Sequence, residues 1–182
     1  MSNVIIDTEV YKNYFLLSAL ESETGRVLHF EMSDKHTLDQ NKLSALMRSR
    51  TTISFNGNGF DLPIIYCALM GWDNAKLKAL SDKIIKSNMP AWRIMRDMQI
   101  NIPKQWDHID LIEVAPGRSS LKIYGGRLHQ KKLEDLPIDP DTVVSYEEMD
   151  KIKSYCINDL ETTLALYRSV EKAVDWRVSM RE

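Results

Sequence analysis

At 182 residues, 43% hydrophobic and 27% charged, the chain is long enough to bury one substantial core and has the balance of an ordinary water-soluble protein. Its formal net charge of -2 excludes bulk electrostatic attraction to a polyanion, so any contact with nucleic acid has to be local. No apolar run approaches the roughly 20 residues that span a bilayer, and the first residues lack the basic and apolar regions of a signal peptide, so an intracellular, cytoplasmic setting without membrane contact is expected.

In chain order, Asn3 to Glu9, Tyr14 to Leu20 and Arg26 to Met32 are short apolar and aromatic runs separated by turn-like segments, which predicts a three-stranded antiparallel meander. His36 to Arg48 carries Leu38, Leu43, Leu46 and Met47 at helical spacing, and the β-rich run Thr51 to Phe55 follows as a fourth strand. After the turn Asn56-Gly57-Asn58-Gly59, Phe60 to Met70 reads as a helix stopping at Gly71. Lys76 to Ser87 and Ala91 to Gln99 read as helical pieces, Pro90 suiting a first helical turn. His108 to Val114 resembles a fifth strand, and Tyr146 to Val174 shows the apolar stripe of a long amphipathic helix. The expected fold class is α/β, a mixed five-stranded sheet with three antiparallel N-terminal strands, flanked by helices and formed by residues 1–182 as one domain. Cys67 and Cys156 lack paired or metal-type spacing and read as reduced core thiols.

Asp7 and Glu9 close the first strand. Residues two apart on a strand share a face, so both carboxylates project toward one point. Two such anions held close together in partly buried surroundings repel each other unless one is protonated or a cation neutralises them, and a hard ion such as Mg²⁺ prefers these oxygens. Asp61 opens the second predicted helix, where an acid also complements the helix dipole. Tyr155 and Asp159 are four apart on the terminal helix and so share one of its faces, as an ordinary border Tyr and Asp would.

Together, Asp7-Thr8-Glu9 in a first strand, Asn56 to Asp61 after a later strand and Tyr155 to Asp159 in a C-terminal helix resemble the three exonuclease motifs of the DEDD superfamily on a ribonuclease H-like fold. A Tyr four residues before the last Asp marks the tyrosine branch, and Asn56, Phe60 and Asp61 followed by Leu62-Pro63 make the second motif similar to proofreading exonuclease domains of replicative, including viral, DNA polymerases. The resemblance implies a 3′-to-5′ exonuclease using two divalent cations, Mg²⁺ or Mn²⁺, to release nucleoside monophosphates from single-stranded or frayed DNA 3′ ends, in the host cytoplasm for a viral protein. It further implies that Asp7, Glu9, Asp61 and Asp159 hold metal, with Asp7 bridging, and that Tyr155 orients the attacking water. Asn56 corresponds to a residue that contacts the terminal nucleotides.

For substrate contact, Arg118, Lys122, Arg127, Lys131 and Lys132 fall in an acid-free stretch, Gly117 to Leu133, with Tyr124 among them. This is a candidate DNA-contacting surface or a plain solvated face. Gly125-Gly126 allows close approach to a phosphate or a simple turn. Phe60 reads as core at a helix start or as a base-stacking wedge, and Asp110 as a strand-end structural acid or a support of the site. The four histidines show no metal-binding or catalytic spacing. Two other readings stay open: an exoribonuclease with the same chemistry, and a catalytically silent nucleic-acid-binding or polymerase-scaffolding domain. A DNA polymerase domain or subunit is an expected partner, and the chain reads equally as a free-standing nuclease or a piece of a longer polymerase.

Overall fold

The computed structural model describes residues 3–87, 89–117, 119–128 and 136–179, the side chains of 177 and 178 excepted. The three N-terminal runs form β1 (Val4–Val10), β2 (Phe15–Glu21) and β3 (Val27–Met32), an antiparallel meander as expected. α1 (Gln40–Ser49) then leads into β4 (Thr52–Ser54), and α2 (Asp61–Leu69), α3 (Asn74–Lys86) and α4 (Ala91–Asp97) lead into β5 (His108–Asp110). α5 (Leu121–Arg127) and the 34-residue α6 (Tyr146–Ser179) complete the described elements. The sheet order is β3-β2-β1-β4-β5, with β4 parallel to both β1 and β5, so the protein is α/β with a mixed five-stranded open sheet flanked by helices. No helix among the described residues is long and apolar enough to cross a membrane.

Strand alternation decides which helices cover which face. Val4, Ile6 and Val10 of β1 pack with Leu43, Met47, Ile65 and Leu77 of α1, α2 and α3 in one core layer. Ile5 points the other way and packs with Ile53, Tyr124, Leu160 and Tyr167 beneath α5 and α6. Asp7 and Glu9 share the parity of Ile5 and therefore face α6; within β1 they alone are not fully buried. β1 pairs with β2 along its whole length, but only its first two residues, Val4 and Ile5, pair with β4, opposite Thr52 and Ile53. The half of β1 bearing the acids thus borders the gap left where β4 ends.

Most boundaries shift by a few residues, and three differences from the sequence reading have a visible cause or consequence. α1 starts at Gln40, because His36 N–H donates to Ser33 Oγ in a preceding turn and Asp39 caps the helix by accepting from Lys42 N–H. The expected strand His108 to Val114 stops at Asp110, where the carboxylate accepts the N–H of Ile112 and bends the chain into a 3₁₀ turn, Leu111–Glu113. Gly125 and Gly126 lie inside α5, not in a turn.

Candidate active site

Asp61 is 4% exposed at the first position of α2, and its Oδ1 accepts a 2.6 Å hydrogen bond from Thr8 Oγ1. Thr8 lies between Asp7 and Glu9 on the opposite face of β1, so this bond fastens the second motif to the first around the strand. From α6, Cys156 Sγ donates to Asp7 Oδ2 at 3.3 Å, and one carboxylate oxygen each of Asp7 and Glu9 lies with that sulfur inside a mutual distance of 4.8 Å. Tyr155, 8% exposed, shares a hydrogen bond with Asp159 one turn along the helix.

Among the described residues only Asp7 and Glu9, with Cys156, have ligand atoms inside that 4.8 Å group, and Asp61 and Asp159 act on them through their charges. Burial holds the Asp7 carboxyl well above the usual carboxylate range, and the charges of Asp61, Glu9 and Asp159 raise it further. Burial and the charges of Asp159 and Asp61 push Glu9 up to about 8. Asp61 is pushed up to about 7 by burial, the Thr8 bond opposing the shift and Asp110 adding to it. The Tyr155 phenol is raised above its ordinary range by burial, then by Asp159 and Glu9, so it stays protonated at neutral pH. The four acids and the tyrosine predicted from three distant segments therefore share one electrostatic environment.

The turn expected ahead of Asp61 is present. The left-handed backbone belongs to Asn56, at φ 64°, a conformation Asn tolerates, while the glycines serve close approach. A Cβ on Gly57 would collide with Ser54 Oγ and lie 2.7 Å from His108 Nε2, and one on Gly59 would lie 2.5 Å from Asn56 Oδ1. Asp110 clamps this loop. Its carboxylate accepts the N–H of Asn56 at 2.7 Å and of Asn58 at 2.9 Å, besides that of Ile112 at 3.2 Å. The strand-end acid thus supports the site through the backbone that presents Asp61. Half-buried His108, pushed down to about 4 chiefly by its loss of solvent, is neutral and bridges Thr52 and Ser54 across β4 and β5.

The substrate candidates are placed unevenly. Asn56 is exposed beside the acids' loop, whereas Phe60 is half-buried against the larger core. Lys122 and Arg127 are exposed on α5. Tyr124 is buried instead: its hydroxyl donates to the carbonyls of Pro116 and Gly117, and its ring meets Phe55 edge-on at 5.8 Å, so it anchors α5 and presents no free face. Arg118, Lys131 and Lys132 lie outside the described residues.

The sequence reading overlooked Thr8 and the reach of Cys156 to Asp7. Thr8 sits between two recognised acids, which was a usable signal, but nothing in the sequence distinguishes Cys156 from any buried thiol. No family model matches the chain, and no curated protein does.

Proposed function

We propose that this protein is a metal-dependent 3′-to-5′ exonuclease of the DEDD superfamily's tyrosine branch, acting on DNA 3′ ends, with its sheet as the core of a ribonuclease H-like fold. The observation that carries this reading is the mutual electrostatic contact of Asp7, Glu9, Asp61 and Asp159 with Tyr155 beside them. The α/β architecture with its mixed sheet is compatible with that fold.

The donor set fits divalent cations. Four carboxylates supply hard oxygen ligands, and the raised pKa values of Asp7, Glu9 and Asp61 report burial and a mutual repulsion that cations relieve. Asp7, Glu9 and Asp159 would hold one ion, and Asp7 with Asp61 a second. When bound, such a pair stabilises charge developing on a phosphodiester and acidifies a water. The protein's own part is positioning. Thr8 keeps Asp61 turned toward β1, Asp110 fixes the loop that carries Asp61, and α6 sets Tyr155 against Asp159. A phenol that stays protonated can orient a water molecule by a hydrogen bond but cannot serve as the base.

The test is a gel assay with a 5′-labelled single-stranded DNA oligonucleotide in Mg²⁺ or Mn²⁺, alongside an RNA of the same sequence. Stepwise shortening from the 3′ end with release of 5′-monophosphates, stopped by a chelator and faster on DNA, is the expected result. Tyr155→Phe is expected to slow turnover about 100-fold, the scale of one lost positioning hydrogen bond in a reacting site, with little change in the metal concentration needed. Absence of metal-dependent shortening would overturn the assignment, and a preference for RNA would move it to an exoribonuclease.

A further inference from the structure

Beyond the acid cluster, the strongest unassigned feature lies on the α4 side of the Asn56–Gly59 loop. Two cavities, of about 350 and 380 Å³, share Asn58, Ile102 and Lys104 in their walls and so adjoin, and together they make up a groove. Leu62 lines the first and Pro63 the second, so the groove opens at the two residues that follow Asp61. Its far wall carries Trp92, Met95 and Arg96 of α4.

Trp92 is 63% exposed, and the Arg96 guanidinium stands 5.2 Å from its ring centroid. An indole left in water on the wall of a groove is an available stacking face, and a cation beside it adds attraction for an electron-rich, anionic ligand. Among the described residues Lys104 has no carboxylate partner, and the one carboxylate paired with Arg96 is its neighbour Asp97, at 3.7 Å on an exposed surface where such a pair is weak. The acids of the first cavity are engaged: Asp110 accepts three backbone N–H groups, and Glu113 accepts from Asn58 Nδ2 at 3.0 Å. Both carboxylates keep their charge, so the positive part of the groove is the α4 side, where Arg96 and Lys104 lie.

We propose that this groove holds the single-stranded nucleic acid that leads to the acid cluster, with Trp92 stacking on a base and Arg96 and Lys104 contacting phosphates. Aromatic faces interleaved with cations are how proteins hold single strands without reading sequence, and each cavity is of small-ligand size, within the roughly 300–1,000 Å³ usual for such sites. The proposal rests on the nuclease reading. It also places the principal track on α4 rather than on α5, whose one aromatic residue, Tyr124, is buried.

Binding of a fluorescein-labelled single-stranded DNA oligonucleotide, followed by anisotropy with the full chain in Ca²⁺, tests the groove. Trp92→Ala is expected to weaken binding about tenfold or more, the scale of one lost base stack, and Trp92→Phe to restore most of it. Lys104→Glu is expected to weaken binding and flatten its salt dependence, while Lys42→Glu on α1, the same change in charge elsewhere, leaves it unaltered. Trp92→Ala and Lys104→Glu both binding like the parent chain would overturn the proposal. Hydrolysis of the p-nitrophenyl ester of thymidine 5′-monophosphate by the parent chain in Mn²⁺ checks the acid cluster separately: its failure removes the nuclease reading and leaves the groove to be judged by anisotropy alone.

Discussion

Asp7→Asn is expected to slow Mg²⁺-dependent nucleotide release by well over the 10- to 100-fold typical of losing a mere supporting partner of a metal ligand, while the metal-free variant melts at a higher temperature than the parent. The two effects have one cause. Asp7 is the acid on which the charges of Asp61, Glu9 and Asp159 all bear, and it faces the cleft from the half of β1 that β4 leaves open. Replacing the carboxylate by an amide of the same shape removes a repulsion from the folded state and, with it, the bridging ligand the cations require. Asn also retains an oxygen that can accept from Cys156 Sγ, so the packing of α6 on β1 is preserved. Oligonucleotide degradation and calorimetric melting check both halves. Unchanged turnover would show that Asp7 takes no part in the chemistry, and a lowered melting temperature that its role is structural.

The second large effect is a dependence of stability on pH that divalent cations abolish. An acid whose pKa is raised in the folded protein holds its proton more tightly folded than unfolded. Its contribution is complete below the unfolded value, 3.8 for Asp61 and 4.5 for Glu9, and is lost as pH rises through about 7 and about 8. His108 works in the opposite sense. Burial lowers it to about 4 from 6.5, so its contribution is complete above pH 6.5 and lost as pH falls through about 4. Between pH 6.5 and 8.5 His108 is constant and the acids change. The metal-free protein is expected to lose several degrees of melting temperature across that window, since each kcal/mol shifts the midpoint of a chain this size by roughly 2–4 °C. In millimolar Mg²⁺ the curve is expected to be flat and higher, because binding to the folded state alone stabilises it. A metal-free profile that rises over the same window would contradict the electrostatic picture of the site.

Where local physics dominates, the sequence was readable. Apolar and aromatic runs bounded by turn residues placed β1 to β3 within a residue or two, and helical spacing placed α6 to within a few residues of its end, because both patterns record burial directly. The acids were legible because period-2 and i,i+4 spacing fix which side chains share a face, and the structure sets Asp7 and Glu9 together toward α6. Features that depend on distant partners were not legible. The apolar run after His108 looks like strand throughout, and only the N–H groups of Asn56, Asn58 and Ile112 gathered on Asp110 explain why it bends. Tyr124 looked available for a base because basic residues surround it, yet Phe55 and the Pro116 and Gly117 carbonyls draw it inward. The glycines after β4 read only as a turn, because the tight contacts of Gly57 with Ser54 and His108 cross from loop to strand and leave no local pattern. Trp92 carried no periodic signal; its exposure follows from how α4 lies against the loop that bears Lys104.

Anomalous diffraction from crystals soaked with Mn²⁺ and a nucleoside 5′-monophosphate would decide whether these acids make a two-ion centre. The expected map shows two Mn²⁺ peaks roughly 4 Å apart, both touching Asp7, with Asp159 and Glu9 on one, Asp61 toward the other and the nucleotide phosphate between them. Peaks absent from this cluster, or Asp61 and Asp159 turned away from bound metal, would contradict it.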